Sequence, residues 1–384
     1  MIQSLELRNF KSIKEKYFPL RNLNVLLGLN GQGKSSFIQS LLVLRQSDKL
    51  SKGELKLNGG ENGLVNIGTS QDALYQFSKD KELSFILQFK GTDPYQMDFD
   101  YQIDADILKQ KNVDDVDINF ITSNNHQALF NNDFQYLNAQ RIEPKSTNIA
   151  SHSNVMEANN LGKYGQYTAH YIELRGNEDV LFDNMLHQGS ATFDSLTNKQ
   201  IIDKTLINQI NLWLGEISPG VNVQTNKVSS DIIILEYEFE QPNYGSTNKF
   251  KPENVGFGIS YALHTVTALL SARPGGLIII ENPESHIHPR GQAELGKLIS
   301  LVAQNDVQII IETHSDHILN SIRVGVKEEP SLKDKAILFY FKKIVDEQEQ
   351  FTSVTNIEID RNGTLSDHPK HLLDEWSNQL SKLI

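Results

Sequence analysis

An α/β fold whose core is split in two by a β-rich insertion is predicted by three observations. Near the start, the apolar strand Leu23–Leu27 runs into Gly28-Leu29-Asn30-Gly31-Gln32-Gly33-Lys34-Ser35, and a segment with apolar residues at helical spacing follows. From Val255 onward, helix and strand patterns alternate again. Between these stretches Gly, Asn and Asp punctuate the chain, and apolar residues alternate with period two.

The elements follow in order. Leu5–Phe10 reads as a first strand, followed by a turn and the strand Leu23–Leu27. Ser36–Gln46 carries Phe37, Ile38, Leu41, Leu42 and Leu44 near one helical face. Residues 51–135 form the β-rich insertion, with Leu83–Phe89 and Tyr95–Ile103 as partner strands. Asn124, Asn125, Asn131 and Asn132 mark a mobile loop near its end. Residues 136–249 mix helix and strand: Ile201–Leu214 has helical spacing closed by Pro219-Gly220, and Asp231–Glu240 is a strand. Residues 1–50 and 250–330 are the two core halves. The second holds a helix from Ser260, a strand Leu277–Ile280, a helix from Arg290 and a strand Val307–Ile311. Residues 331–384 remain as a small C-terminal segment, and there is no internal repeat and no heptad run long enough for a coiled-coil arm.

Composition bounds the function. The 384 residues are 39% hydrophobic, enough for a buried core. The apolar runs are strand-sized, and Met1–Glu6 lacks the basic and apolar regions of a secretory signal. The absence of cysteine excludes disulfides and thiolate metal sites. A cytoplasmic location with no membrane partner is the expectation. The net charge is −12, and no Lys/Arg run exceeds two, so the basic stripe of a duplex-DNA binder is missing.

The loop Gly28–Ser35 fills every fixed position of G-x-x-x-x-G-K-[ST]. Its glycines let backbone N–H groups turn inward around phosphate oxygens, aided by the start of the following helix. Lys34 brings positive charge to the β- and γ-phosphates, and Ser35 offers a hydroxyl to Mg²⁺. A chance match in a chain this long is on the order of one in a hundred. ATP and Mg²⁺ are therefore the expected cofactors, with Gly28, Asn30, Gly31, Gly33, Lys34, Ser35 and Ser36 as the phosphate-binding set. The strand Leu277–Ile280 ends in Glu281, which is how such sites place a carboxylate beside Mg²⁺. Glu284 lies about one turn on. The third strand delivers His314, suited to contact a γ-phosphate or orient water. A solvent-facing loop histidine is the bland alternative, and the strand order favours function.

These residues carry a family resemblance. Leu7-Arg8-Asn9-Phe10-Lys11-Ser12-Ile13, followed by the glycine loop, resembles the opening of ABC-type ATPases of the SMC, RecF and OLD groups. Glu281-Asn282-Pro283-Glu284-Ser285-His286-Ile287-His288-Pro289 and Glu312-Thr313-His314-Ser315 are similar to the OLD-like branch. Tyr136–Arg141, Val255–Ser260 and Asn362–Pro369 resemble segments of bacterial ATPases that end in a small domain of unknown function. The fold implied is an ABC-type ATPase head with a split core, and the implied assembly is a homodimer sandwiching two nucleotides. Gly258 and Ser260 then fall in the signature segment that touches the γ-phosphate held by the other subunit. Without the resemblance, Gly256–Ser260 reads as an ordinary glycine turn with a serine N-cap. Gln140 falls where the family places a glutamine sensing Mg²⁺ and water, and His314 at the switch histidine.

One departure concerns the chemistry. The family follows its Mg²⁺-binding acid with a Glu that activates water, whereas here the pair is Glu281-Asn282. An amide orients water but cannot accept its proton. Either Glu284 or His314 takes that role, or hydrolysis is slow and ATP acts chiefly as a dimer clamp; slow hydrolysis is the expectation. His286 and His288 have spacing for a divalent ion, but their match to the family's Pro-Glu-x-x-x-His-Pro stretch favours subunit-interface packing.

The resemblance implies a dimeric ATPase switch for anti-phage defence or genome maintenance, with a separately encoded effector, often a nuclease, as in Septu-type systems. About 60 residues follow Arg323, too few for the Toprim domain that OLD nucleases carry. Two other classes remain open: a RecF-like repair ATPase that binds DNA directly, and a nucleotide-locked scaffold with little turnover.

Overall fold

The computed structural model describes residues 1–61, 63–111, 123–193, 200–241, 245–370, 372–373 and 375–383. Residues 112–122 of the expected insertion lie outside that set. The described chain is a mixed α/β fold with parallel and antiparallel sheets, divided into two compact units. The first comprises Met1–Asn131, Ala336–Ile359 and Leu365–Ile384; the second comprises Asn132–Lys335 with Asp360–Thr364.

In the first unit, an antiparallel sheet orders Ile13–Pro19, Ile2–Phe10, Glu82–Phe89 and Tyr95–Asp100. Phe10, Phe85 and Phe99 stack across its inner face, with successive ring centroids 5.2 and 6.0 Å apart. The strand Ile13–Pro19 occupies what reads in sequence as a turn, because Lys14-Glu15-Lys16 hides its alternation. Register explains its stability: Glu15 lies opposite Arg8, 3.4 Å away, while Phe18 is fully buried. The strand expected to reach Ile103 stops at Asp100, and Ile103 is exposed. Asn124, expected on a mobile loop, is buried.

The strand Leu23–Leu27 is buried along its whole length. It pairs in parallel with Ala336–Val345, to which Gln350–Ile357 adds as an antiparallel neighbour. The C-terminal region thus supplies two strands beside the one that feeds the glycine loop. Phe18, Phe37, Phe339 and Phe341 close this core, with Phe18 centred 4.5 Å from Phe37 and 5.4 Å from Phe339. Each buried ring contributes about 1.5–3 kcal/mol. The helix Lys34–Gln46 buries Phe37, Ile38, Leu41, Leu42 and Leu44, the face that its spacing predicts.

In the second unit, Phe134–Leu137, Leu277–Glu281 and Gln308–Glu312 form parallel neighbours, with Glu281 level with Glu312. Helices Phe257–Leu270, Pro289–Ala303 and Asp316–Glu328 belong to this unit. The first two start within three residues of their expected positions; Pro289 suits a first turn because its missing N–H would be unpaired there. The helix expected from Ile201 begins instead at Leu206. Asp203 Oδ1 accepts hydrogen bonds from Thr205 N and Oγ1, which turns the chain before the helix. Ile201 and Ile202 lie in a short exposed strand, Gln200–Ile202.

Candidate functional site

The expected site residues fall into two sets, one in each unit. In the first unit the glycine loop links the strand Leu23–Leu27 to the helix Lys34–Gln46. Gly28 and Gly33 have φ of 132° and 102°, in the region that favours glycine. A Cβ on Gly28 would strike the Phe341 carbonyl, and one on Gly33 would strike the hydroxyls of Thr352 and Ser12. Lys34 is 3% exposed, and its ammonium donates to the carbonyls of Gly28 at 2.8 Å and Leu29 at 3.1 Å. Its charge is therefore held across the loop. The first turn of the helix carries no acid, so the positive end of its dipole is not offset locally.

Asn30, Gly31 and Ser35 are exposed, whereas Ser36 points inward and shares a 3.1 Å hydrogen bond with Ser12. Ser36 thus supports the loop from behind with its hydroxyl, a role the motif alone does not show. A cavity of ≈ 330 Å³ lies beside Gly31 and Ser36, walled by Lys11, Tyr75, Phe77 and Phe351. Glycines that admit no side chain, a buried lysine and a helix start fit a phosphate chain.

In the second unit, Glu281 ends its strand among three groups from residues 136–141. Tyr136 Oη donates to Oε1 at 2.8 Å, Ala139 N to Oε2 at 3.3 Å, and Arg141 Nη2 to the Glu281 carbonyl at 3.0 Å. Arg141 is 4% exposed, and burial pulls its pKa down to about 10 against the opposing pull of Glu281. Its Nη1 has no hydrogen-bond partner among the described residues. Burial and the neighbouring Glu281 charge also push the Tyr136 phenol well above its ordinary value, keeping it a donor. Gln140 sits in this same segment with its side chain exposed, and its N–H donates to Asn138 Oδ1 at 2.8 Å.

Glu284 follows on the turn. Its carboxylate accepts from Thr313 Oγ1 at 2.9 Å and from the His314 backbone N–H at 2.7 Å. Burial nevertheless raises its pKa, with those hydrogen bonds acting in opposition. The His314 side chain is exposed. Asn282 takes a left-handed φ of 47°, and its N–H donates to the Glu312 carbonyl at 2.8 Å. The structure therefore joins Glu284 to the His314 backbone and gathers Tyr136, Ala139 and Arg141 around Glu281, and among the described residues no contact places Gln140 on Glu281.

Gly258 lies on the first turn of the helix Phe257–Leu270, against the His286 carbonyl. Ser260 is 3% exposed, and its Oγ faces Tyr237 Oη at 3.4 Å inside the unit. The hydroxyl expected to face another subunit is thus turned inward, leaving Gly256 and Phe257 as the exposed helix start. The His286 ring packs edge-on to Tyr261, 4.8 Å between centroids, and His288 Nδ1 accepts from Arg290 N at the start of the next helix. No three His, Cys, Asp or Glu side chains gather for a metal among the described residues.

Sequence reasoning missed Tyr136, Arg141, Thr313 and Thr352 as site residues. The first two lie in a segment that resembles the family's, so that signal was present; Thr352 has none. No helix among the described residues is long and apolar enough to cross a membrane.

Comparisons with known proteins bear on the family and the fold. The family described as "AAA domain, putative AbiEii toxin, Type IV TA system" matches residues 23–320, and "Protein of unknown function (DUF3696)" matches 333–383. An OLD nuclease from Thermus scotoductus is 22% identical over 338 residues, covering 82% of this chain and 59% of its own length. The DNA replication and repair protein RecF of Francisella tularensis subsp. novicida is 27% identical over 150 residues, 38% of this chain and 35% of its own. The chain thus spans less than two thirds of either relative. The Pyrococcus furiosus Smc head domain, solved bound to the C-terminal domain of ScpA, superposes with a TM-score of 0.50 at 11% identity, covering 100% of this chain and 99% of that one. That likeness concerns the fold. With a family match running from the loop-feeding strand through the Glu281 and His314 strands, the chain belongs to this AAA family, among the ABC-type ATPases of the SMC, RecF and OLD group.

Proposed function

We propose that the protein binds ATP with Mg²⁺ and hydrolyses it slowly, as a homodimeric switch in a bacterial anti-phage defence or genome-maintenance system with a separately encoded effector. The observation that carries the nucleotide reading is the glycine loop: two glycines that admit no Cβ, with the buried Lys34 ammonium held across them. In this reading the backbone N–H groups and Lys34 hold the phosphates, and the ≈ 330 Å³ cavity takes the base and ribose, being of small-ligand size (roughly 300–1,000 Å³). Ser35 in the first unit and Glu281 in the second each offer a hard oxygen donor of the kind Mg²⁺ takes, and Gln140 is the proposed water-orienting amide. The metal would add charge neutralisation at the phosphates.

Slow turnover is supported by Asn282, which cannot take a proton, and by the two hydrogen bonds that engage Glu284. Glu284 is the leading base because burial raises its proton affinity toward neutral pH. In the proposed dimer, the exposed backbone at Gly256–Gly258 replaces the inward Ser260 hydroxyl as donor to a partner-held phosphate. Asn282 equally favours a second reading, a nucleotide-locked scaffold. Oligomer size and turnover with and without ATP, in wild type and Asn282→Glu, separate the two. ATP-dependent dimers with measurable turnover support the switch. Tight ATP binding with turnover appearing only in Asn282→Glu supports the scaffold, and no ATP binding removes both.

A further inference from the structure

We infer that the C-terminal hairpin, whose strands are Ala336–Val345 and Gln350–Ile357, clamps the glycine loop in its working shape through a set of hydroxyl hydrogen bonds centred on Thr352. The inference deepens the nucleotide-binding reading and rests on it for its functional consequence. Both strands of the hairpin touch the loop. From the first, the Phe341 backbone packs on Gly28, and Lys343 N donates to Gln32 Oε1 at 2.6 Å. From the second, Thr352 N donates to the Ser12 carbonyl at 2.8 Å, tying the turn before Ile13 to the hairpin.

Thr352 Oγ1 lies 3.0 Å from the Gln32 carbonyl and 2.8 Å from Ser12 Oγ, which lies 3.1 Å from Ser36 Oγ. Each hydroxyl carries one proton, and the Gln32 carbonyl can only accept. Thr352 therefore shares its proton between Ser12 Oγ and the Gln32 carbonyl, and Ser12 and Ser36 share the third bond. Thr352 and Ser36 are 4% and 6% exposed, so water does not readily replace a lost partner. These bonds bracket the last residues of the loop, with Gln32 before Gly33 and Ser36 after Ser35, and Gly33 leaves the room that the Thr352 and Ser12 hydroxyls fill. Thr352 is a positioning residue. This gives a role to part of the region that matches a family of unknown function.

The test is hydrogen exchange of the free protein across residues 28–36, alongside ATP affinity, in wild type, Thr352→Val, Thr352→Ser and Ser12→Ala. The clamp requires faster exchange in that peptide for Thr352→Val and Ser12→Ala, with the 257–270 helix unchanged, and recovery in Thr352→Ser. ATP affinity should fall about threefold to tenfold in the first two, the worth of one net hydrogen bond. Wild-type exchange in the loop of Thr352→Val and Ser12→Ala, or equal acceleration throughout the chain, would overturn the clamp. Local acceleration in a protein whose wild type binds no ATP would leave the clamp standing and remove the nucleotide reading instead.

Discussion

The glycine loop of the first unit takes its shape from eight contiguous residues whose glycines leave room for the Phe341 backbone and the Thr352 and Ser12 hydroxyls, while the carboxylates of the second unit are held by groups from two separate segments. Gly28 and Gly33 fix the loop because no side chain fits there. Glu281 is fixed by Tyr136, 145 residues away, and Glu284 by Thr313, 29 residues away. The first region is therefore vulnerable to added volume and the second to altered charge. That difference can be tested directly.

The largest effect is expected from Gly33→Ala. A methyl group at φ 102°, against the Thr352 and Ser12 hydroxyls, should cost about 2–4 kcal/mol in unfolding free energy and lower ATP affinity by at least tenfold. Urea unfolding and titration calorimetry measure the two. Arg141→Met should show the opposite pattern. Replacing the buried cation with an apolar chain of similar reach removes the unpaired Nη1 but also the donor to the Glu281 carbonyl, so the melting temperature should change little. Turnover should still fall, by about tenfold, as the Glu284 carboxylate loses a neighbouring cation that favours its charged form. A destabilised Arg141→Met protein with normal turnover would break the comparison.

Glu284→Gln gives a smaller effect with a defined pH dependence. Folding raises the Glu284 pKa above the ordinary 4.5, so the fold favours the protonated carboxyl. Its contribution to stability is then fully present below the unfolded-state pKa and lost as pH rises through the folded value. Glu284→Gln should accordingly gain melting temperature relative to wild type as pH climbs above the ordinary carboxylate value, and the gain should vanish in more acid solution. If Glu284 is the base, the same variant loses turnover, and the acid limb of the wild-type rate profile lies above the ordinary carboxylate range.

The same contrast explains what could be read from the sequence. The glycine loop was legible because phosphate binding needs its residues in one unbroken run, and the strands ending in Glu281 and Glu312 stood out as short apolar runs bounded by acids. The strand Ile13–Pro19 was hidden because its charged residues pair across the sheet and do not alternate cleanly with apolar ones. The start of the helix at Leu206 depended on the Asp203 turn overriding helical spacing at Ile201 and Ile202. The Thr352–Ser12 contact joins residues 340 positions apart, and hydroxyls of that kind carry no pattern in either local sequence. Ser260 read as a donor to another subunit because Val255–Ser260 resembles the family's signature segment, and the facing Tyr237 was not visible.

The most direct test is steady-state ATP hydrolysis by the purified protein beside Lys34→Ala. Loss of the buried ammonium should weaken ATP binding by about tenfold to a hundredfold, the worth of a charge-assisted contact, and turnover measured below saturation should fall in step. Slow, Mg²⁺-dependent turnover in wild type that disappears in Lys34→Ala is the expected result. Equal ATP binding and turnover in the two proteins would contradict the assignment of the glycine loop as the nucleotide site.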